Sequence, residues 1–201
     1  MALTQPNQIS FGDTFPPVIK SAAEMKAVAS FELTLSGYTQ KIFPPGLWAS
    51  HNGTTYRFLP RTRFKSNAAA VLTVSSFTAG LFFVNDVIVQ INLADGTAGT
   101  AVGTVSSVNH AANTITLAAT PGTVPAADTV IGVQAFRPVM ANGNKLGLVS
   151  PNTAINLDDT GRYPTAVNNH FTAIQSGSFY RALMPHVDSE LERLFPEMTF
   201  S

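Results

Sequence analysis

The sequence predicts a mainly β protein: a small antiparallel β-barrel or sandwich domain, an extended N-terminal arm and a short C-terminal α-helix. Three observations support this fold class. β-Branched residues recur at every second position across 84–133, and each of these runs closes at Gly, Asn, Asp or Pro. Prolines punctuate the segment before Trp48. Near the C-terminus, apolar residues change to a helical spacing.

Residues 1–69 are predicted to form an arm followed by a β-hairpin. The pairs Pro16-Pro17 and Pro44-Pro45 fix φ and hold the preceding residue extended, so the arm should contain few strands. The runs 48–51 and 54–58 flank Asn52-Gly53, the pair that best accepts the two positive φ angles of a type I′ turn. We therefore expect a two-residue hairpin there.

Residues 70–136 are predicted to form the barrel domain. Its strands are expected where β-branched residues alternate, in the runs 86–91, 103–108, 113–117 and 127–133. The glycines of 96–103 are not followed by a lysine or a predicted helix, so a hairpin connection is favoured over a phosphate-binding loop. We expect Val89 and Ile115 to face the barrel core.

Residues 137–201 are predicted to contain a second hairpin, a terminal helix and irregular loops between them. Asn142-Gly143 repeats the hairpin signal. A helix is expected over 186–195, between Pro185 and Pro196, because Val187, Leu191 and Leu194 fall on one face and acidic residues occupy its first turns. We expect this segment to pack against residues 1–69.

Composition limits the classes of partner. Twelve basic and twelve acidic side chains cancel, so no net field draws the chain to nucleic acid or to an anionic membrane. Charged residues make up only 12% of the chain, which leaves a neutral, polar surface suited to a larger assembly. Cysteine is absent. The first residues lack the basic and apolar regions of a signal peptide, and no apolar run reaches membrane-spanning length, so we expect synthesis in a cytoplasm and no membrane partner.

Motifs for chemistry are missing from the sequence. The four histidines, His51, His110, His170 and His186, are far apart and form no metal-binding motif. No serine lies in a Gly-x-Ser-x-Gly elbow. We therefore predict no catalytic, cofactor-binding or metal-binding residues, no cofactor and no enzymatic activity.

Two sets of residues are candidates for partner binding. Arg61, Arg63 and Lys65 alternate, so in a strand they project from one face. Three roles remain open for such a stripe: a solvated edge that discourages aggregation, a contact with an acidic protein surface or, less favoured, a contact with nucleic acid. The second set is Phe11, Phe15 and Phe200, which lie near the chain ends. Aromatic side chains bury a large area at low entropic cost, so these three either pack in the core or anchor the chain to a neighbouring protein.

The barrel segment resembles a known group of proteins. The runs that carry the resemblance are Phe-Val-Asn-Asp-Val-Ile at 83–88, Gly-Thr-Val-Ser-Ser-Val-Asn at 103–109, Asn-Thr-Ile-Thr-Leu at 113–117 and Ala-Ala-Asp-Thr-Val at 126–130. They resemble the small β-barrel of tailed-bacteriophage head proteins, most of all capsid decoration or cement proteins. Those proteins often carry Gly where this chain has Asn85.

The resemblance implies a non-enzymatic virion structural protein that binds the outside of a phage capsid and stabilises contacts between neighbouring capsomers. Its expected partners are the major capsid protein and further copies of itself, with a trimer favoured, and its expected location is the capsid surface. Two alternatives remain open: a tail, neck or baseplate component with the same barrel, and a carbohydrate-binding or host-adhesion module. The last would need an exposed aromatic platform, for which Trp48 is the only tryptophan.

Overall fold

The computed structural model describes residues 8–9, 19–21, 27–34, 38, 43–44, 46–140, 143–149, 155–156 and 170–201. They form a mainly β fold with one short α-helix, α1 (Ser189–Leu194), as predicted. Single 3₁₀ turns lie at Ala79–Leu81 and Arg181–Leu183. The strands are β1 (Gln8–Ile9), β2 (Ile19–Ser21), β3 (Ala27–Glu32), β4 (Ala49–His51), β5 (Tyr56–Phe58), β6 (Arg61–Ala68), β7 (Val71–Val74), β8 (Val87–Ile91), β9 (Ala98–Asn109), β10 (Thr114–Leu117), β11 (Val130–Val133), β12 (Leu148–Val149), β13 (Ile155–Asn156), β14 (His170–Ile174), β15 (Gly177–Phe179) and β16 (Met198–Phe200).

Six strands pair antiparallel in a closed ring, in the order β10-β7-β6-β11-β8-β9 and back to β10. The pairing follows the alternation in the sequence. Ile115 pairs with Leu72 and Val108, and all three belong to the barrel core or pack against it. Ile115 is fully buried, as the sequence predicted. The 3₁₀ turn Ala79–Leu81 is also buried in this core.

The barrel begins earlier than the sequence indicated. Residues 61–68, placed by prediction in the segment that precedes the barrel, form strand β6 and pair with both β7 and β11. Their sequence contains charged and polar residues at most positions, so they lack the β-branched alternation on which the predicted boundary at 70 rested. Val89 also differs from the expectation, since it is buried with Ile91 and Val130 in a small separate cluster.

The segments before and after the barrel pair with each other. Strand β3 pairs with β14, β2 with β15, and β1 with β13, while Trp48 forms a bridge to Leu148. Side chains from this outer layer enter the same core as the barrel, including Phe43 and Phe58. A second core lies around Trp48 and α1. Its buried members are Trp48, Leu59, Leu148, Ile174, Phe179, Met184, Val187, Leu191, Phe195 and Met198.

Both predicted hairpins form, and the turn of the first hairpin differs from the predicted type I′ turn. In the first, His51 pairs with Tyr56, so the loop has four residues and Asn52 does not adopt the positive φ of a type I′ turn. Asn52 Oδ1 instead accepts hydrogen bonds from the N–H groups of Thr54 and Thr55, which satisfies the loop backbone. In the second hairpin, Val139 bridges Lys145.

The C-terminal helix is shorter than predicted. It begins at Ser189 rather than at 186, because Asp188 is extended and its Oδ1 accepts a hydrogen bond from Leu191 N–H as an N-cap. Leu191 is fully buried, as the apolar spacing indicated. The early start of the predicted helix came from treating Val187 as part of its apolar face, whereas Val187 is buried just outside the helix.

Candidate functional site

The densest group of ionisable side chains in the described residues lies between the barrel and α1. Arg61 Nη1 is 3.2 Å from Asp188 Oδ2 and 2.6 Å from Glu190 Oε2. His186 Nε2 is 2.8 Å from Asp188 Oδ2, and Arg137 Nη2 is 3.6 Å from Glu190 Oε1. We call these five residues the ion cluster. It joins a barrel strand to the chain segment that opens the helix.

Strand and helix geometry place the ion cluster. Arg61 lies on β6 beside Thr62, whose hydroxyl bonds Thr78 inside the barrel, so the Arg61 side chain projects outward. Residues 186–194, which we call the helix segment, cover Arg61 on that outer face. Within it, Asp188 caps α1, and Glu190 lies in the first turn of the helix. Trp48 Nε1 donates to the carbonyl of His186 and fixes the chain just before the cap.

The ion cluster is closed to solvent except at Arg137. The side chains of Arg61, Asp188 and Glu190 are 1%, 0% and 2% exposed. Burial alone would raise the pKa of Asp188, but the hydrogen bond from His186, the nearby Arg61 guanidinium and the Leu191 N–H hold that pKa well below its ordinary value. Asp188 therefore stays ionised as a fixed negative charge.

The charges of the ion cluster hold two segments of the chain together. Arg61 Nε and Nη2 are buried and have no hydrogen-bond acceptor among the described residues. The guanidinium therefore contacts the two carboxylates through Nη1 alone. Burying a charge this deeply is tolerated only when an opposite charge accompanies it. The ion pairs hold the C-terminal segment against the barrel strand β6.

A second buried ion pair lies where the barrel meets the first hairpin. Arg57 Nη2 is 2.5 Å from Asp86 Oδ2, and the guanidinium carbon lies 4.3 Å and 4.0 Å from the ring centroids of Phe83 and Phe136. Asp86 Oδ2 also accepts from Phe83 N–H. This pair ties β5 to the loop before β8.

An open, shallow pocket of about 440 Å³ lies near the first hairpin. His51 Nδ1 accepts from Gly53 N–H, and the ring packs on Tyr56 at 4.3 Å. Arg137 Nη2 donates to the Asp95 carbonyl at 2.7 Å. The His51 ring and the Arg137 guanidinium, the two polar groups of the pocket best suited to binding, thus already contact other residues of the protein. The pocket is lined by His51, Asn52, Gly53, Ala135, Arg137, Val139 and Met140.

The three predicted surface cations do not form an exposed stripe. Arg61 is 1% exposed, so its assignment as a partner-binding residue is wrong for this structure: the helix segment covers the strand at that point. Arg63 is half-buried, and its Nη2 donates to the Val187 carbonyl at 3.1 Å. Lys65 is exposed and pairs with Asp128 at 2.5 Å. A binding role for Arg63 and Lys65 stays a prediction.

The aromatic candidates differ in position. Phe11 and Phe15 lie outside the described residues. Phe200 is half-buried on β16, with ring centroids of Phe179 and Trp48 at 5.9 Å and 6.2 Å, so much of its area is used inside the protein. Trp48 is 2% exposed and offers no platform for a sugar.

The opposite side of the barrel carries a surface that the sequence analysis did not identify. Strand register places two four-residue rows across β6, β7, β10 and β9, on the face away from the buried Ile115. A register shift between Phe64 and Ser66 interrupts the alternation of β6, so Ser66 and Ala68 lie on this outer face although Arg61 also projects outward. Each of the eight residues is exposed or half-exposed, and none is charged. We call these residues the neutral face. One row is Ser66, Thr73, Thr114 and Asn109, and the other is Ala68, Val71, Thr116 and Ser107.

One sequence signal pointed to the neutral face. From Gly96 to Ala127 the chain has no Asp, Glu, Lys or Arg, which is a long interval even for this weakly charged chain. The interval cannot be placed on a surface from sequence alone, because the pairing of β6 and β7 with β10 decides which residues lie side by side.

No group of three or more His, Asp or Glu within the described ranges is arranged to hold a metal ion. None of the helices in the described part of the chain has both the length and the apolar character needed to cross a membrane.

Comparisons with known proteins identify no relative. No family model, no curated protein and no solved structure matches the chain. The functional argument therefore depends on the residues and the geometry described above.

Proposed function

We propose that this chain is a non-enzymatic virion structural protein that binds the outside of a phage capsid and stabilises contacts between neighbouring capsomers. One observation carries the proposal: the ion cluster, the densest group of ionisable side chains in the described residues, is closed to solvent except at Arg137 and holds two parts of the chain together. Asp188 and Glu190 have side chains no more than 2% exposed. Buried charges that hold two parts of a protein together suit a role in assembly better than a role in chemistry.

The surface composition supports the same role. Arg57, Arg61, Asp188 and Glu190 are buried, so they add no charge to an accessible surface that belongs to a chain with only 12% charged residues. A neutral surface contacts a partner without desolvating ions, and it gives little repulsion among many copies held close together. The resemblance of the barrel runs 83–88 and 103–109 to head proteins of tailed phages indicates a capsid as the assembly.

The proposed partner is the major capsid protein. Phe11 and Phe15, in the proline-rich arm, are the proposed anchors, with Arg63 and Lys65 as a weaker, salt-dependent contact. Several modest contacts from one protein combine strongly, because the first contact raises the effective concentration of the others. A trimer would multiply this effect.

The direct test mixes purified protein with expanded, undecorated capsids and images the particles. We expect density at regular lattice positions on the outer surface. The double variant Phe11→Ala with Phe15→Ala should lower occupancy while the melting temperature is unchanged. Tyr180→Ala is the matched control, since Tyr180 is an exposed aromatic outside the arm. Absence of lattice density rejects the capsid role, and density confined to tails or necks assigns the protein there.

A further inference from the structure

The two sides of the barrel differ in how they are covered. On one side, every residue of β11 is buried, with Val130 packed against Val89 and Ile91, and the segment with Asp188 and Glu190 covers Arg61 of β6. On the other side, all eight residues of the neutral face keep exposed surface, and Val71 is 36% exposed. A sheet face open to water ordinarily carries charged side chains among its polar residues. The neutral face carries none.

The chemistry of the neutral face limits its partner. Hydroxyl and amide groups both donate and accept hydrogen bonds, so rows of Thr, Ser and Asn can pair with rows of the same kind. A charged partner surface would lose hydration there without gaining an opposite charge. The nearest ions, Lys65 and Asp128, already neutralise each other at 2.5 Å. The best complement is therefore a second neutral, hydroxyl-rich sheet face.

We infer that the neutral face docks against the same face of a second copy of this chain. A two-fold contact brings identical patches together, and in a patch this small a charge near the axis would lie close to its own copy and repel it. The neutral face avoids this penalty. Its side chains are small, which allows two sheets to approach to about 10 Å, the ordinary separation of packed sheets.

The size of the patch sets the strength of the contact. Strands spaced at about 4.8 Å and rows at about 6.8 Å give the eight residues roughly 260 Å², against about 800 Å² per partner in a stable complex. The contact is accordingly weak in dilute solution and forms where copies are held close together. On a lattice it would join neighbouring copies, which goes beyond the proposed capsid contact and uses a different surface.

A charge-reversal experiment tests this docking in solution without capsids. Sedimentation velocity from low micromolar to millimolar protein should show a monomer–dimer equilibrium that changes little with salt. Thr116→Glu and Thr116→Lys should each lower the association constant by about tenfold or more, because like charges then oppose each other across the two-fold axis. Mixing the two variants should restore dimers as the heterodimer. Thr199→Glu, at an exposed strand threonine in the outer layer, should leave the equilibrium unchanged.

Each result bears on the inference. A wild-type monomer at all concentrations overturns it, as does a wild-type dimer that tolerates both Thr116 variants. A trimer unaffected by the variants would also overturn it, since closed head-to-tail contacts use different surfaces. Circular dichroism shows whether each variant is folded, and Thr114→Glu, in the other row, serves if Thr116→Glu is not. Capsid binding is measured separately, so failure there leaves this result intact.

Discussion

Arg61 illustrates how a single residue can be assigned the wrong role by its neighbours in sequence. It belongs to the alternating series with Arg63 and Lys65, in which a strand of regular alternation would project all three from one face. Its surroundings come from residues more than a hundred positions later, since Asp188 and Glu190 close over it. Exposure along β6 thus rises from Arg61 through Arg63 to Lys65 as the helix segment recedes.

Replacing Arg61 should be far more costly than replacing Lys65. Arg61→Met leaves Asp188 and Glu190 buried without their main counter-charge, so we expect the free energy of unfolding to fall by about 3–5 kcal/mol. Lys65→Met breaks an exposed ion pair and should cost no more than about 1 kcal/mol. Urea denaturation measures both. Equal, small losses would show that Arg61 is not paired as described.

The ion cluster should also make stability depend on acid. The pKa of Asp188 is held below its ordinary value of 3.8 in the folded state, so the unfolded chain binds the proton first as the pH falls. The stability contributed by Asp188 is fully present above about pH 5 and is lost progressively below the ordinary carboxyl pKa. In Asp188→Asn this contribution is already absent.

We therefore expect the difference in urea midpoint between wild type and Asp188→Asn to shrink as the pH is lowered from about 5 to about 2. Asp128→Asn provides a control, because that carboxylate is exposed and its ion pair with Lys65 is screened by solvent. A constant difference between wild type and Asp188→Asn over this range would contradict the lowered pKa.

At the level of elements, local patterns located most barrel strands but not their partners. The alternation of 86–91 and 113–117 reports burial on one face, which is a local property, so β8 and β10 were predicted well. Strand β6 was missed because Arg61 and Lys65 obscure its apolar alternation. The ion cluster and the neutral face were both beyond prediction, since each depends on strand register and on contacts between distant segments.

For turns as well, the sequence predicted the location but not the detailed geometry. Asn-Gly predicted both hairpins, yet the first turn widened to four residues because the Asn52 side chain supplies acceptors for the loop. Asn85 offers the opposite case: it has a φ of 72°, in the left-handed region that favours glycine. Asn tolerates this conformation better than most other residues with a side chain.

The loop between β8 and β9 should be sensitive to one added methyl group. Gly96 has a φ of 72°, and a Cβ there would overlap the Glu190 carboxylate and lie 2.7 Å from Arg137 Nη2. Gly53 has a φ of 97° with open space around it. Gly53→Ala should cost about 1–2 kcal/mol through backbone strain alone, and Gly96→Ala about 1–3 kcal/mol more by displacing the ion cluster. Thermal unfolding of the two variants compares them, and equal costs would argue against the contact with Glu190.

At the scale of the whole molecule, the barrel and the outer layer share one core. Phe43 and Phe58 from the outer layer belong to the same buried cluster as Ile115 and Leu72 from the barrel. The ion cluster adds a second connection on the other side. A molecule joined in this way should unfold as one unit although its core is built from three stretches of the chain.

Trp48 allows this cooperativity to be measured. It lies in the second core, packed 5.1 Å from the Phe195 ring, and is the only tryptophan. Ile115→Ala, deep in the barrel, should lower the free energy of unfolding by about 2–5 kcal/mol. The urea midpoint reported by Trp48 fluorescence should fall together with the midpoint from far-UV circular dichroism. Two separate transitions, with only one displaced, would show that the barrel unfolds independently.

The closed ring of the barrel has a consequence for aggregation. Threonine- and valine-rich strands such as β7, β9 and β10 have the composition of segments that stack into cross-β fibrils. Fibril growth needs a strand with unpaired main-chain groups to serve as a template. Each strand of the ring is flanked by two partners, so these sequences can reach high concentration in a cell without offering such a template.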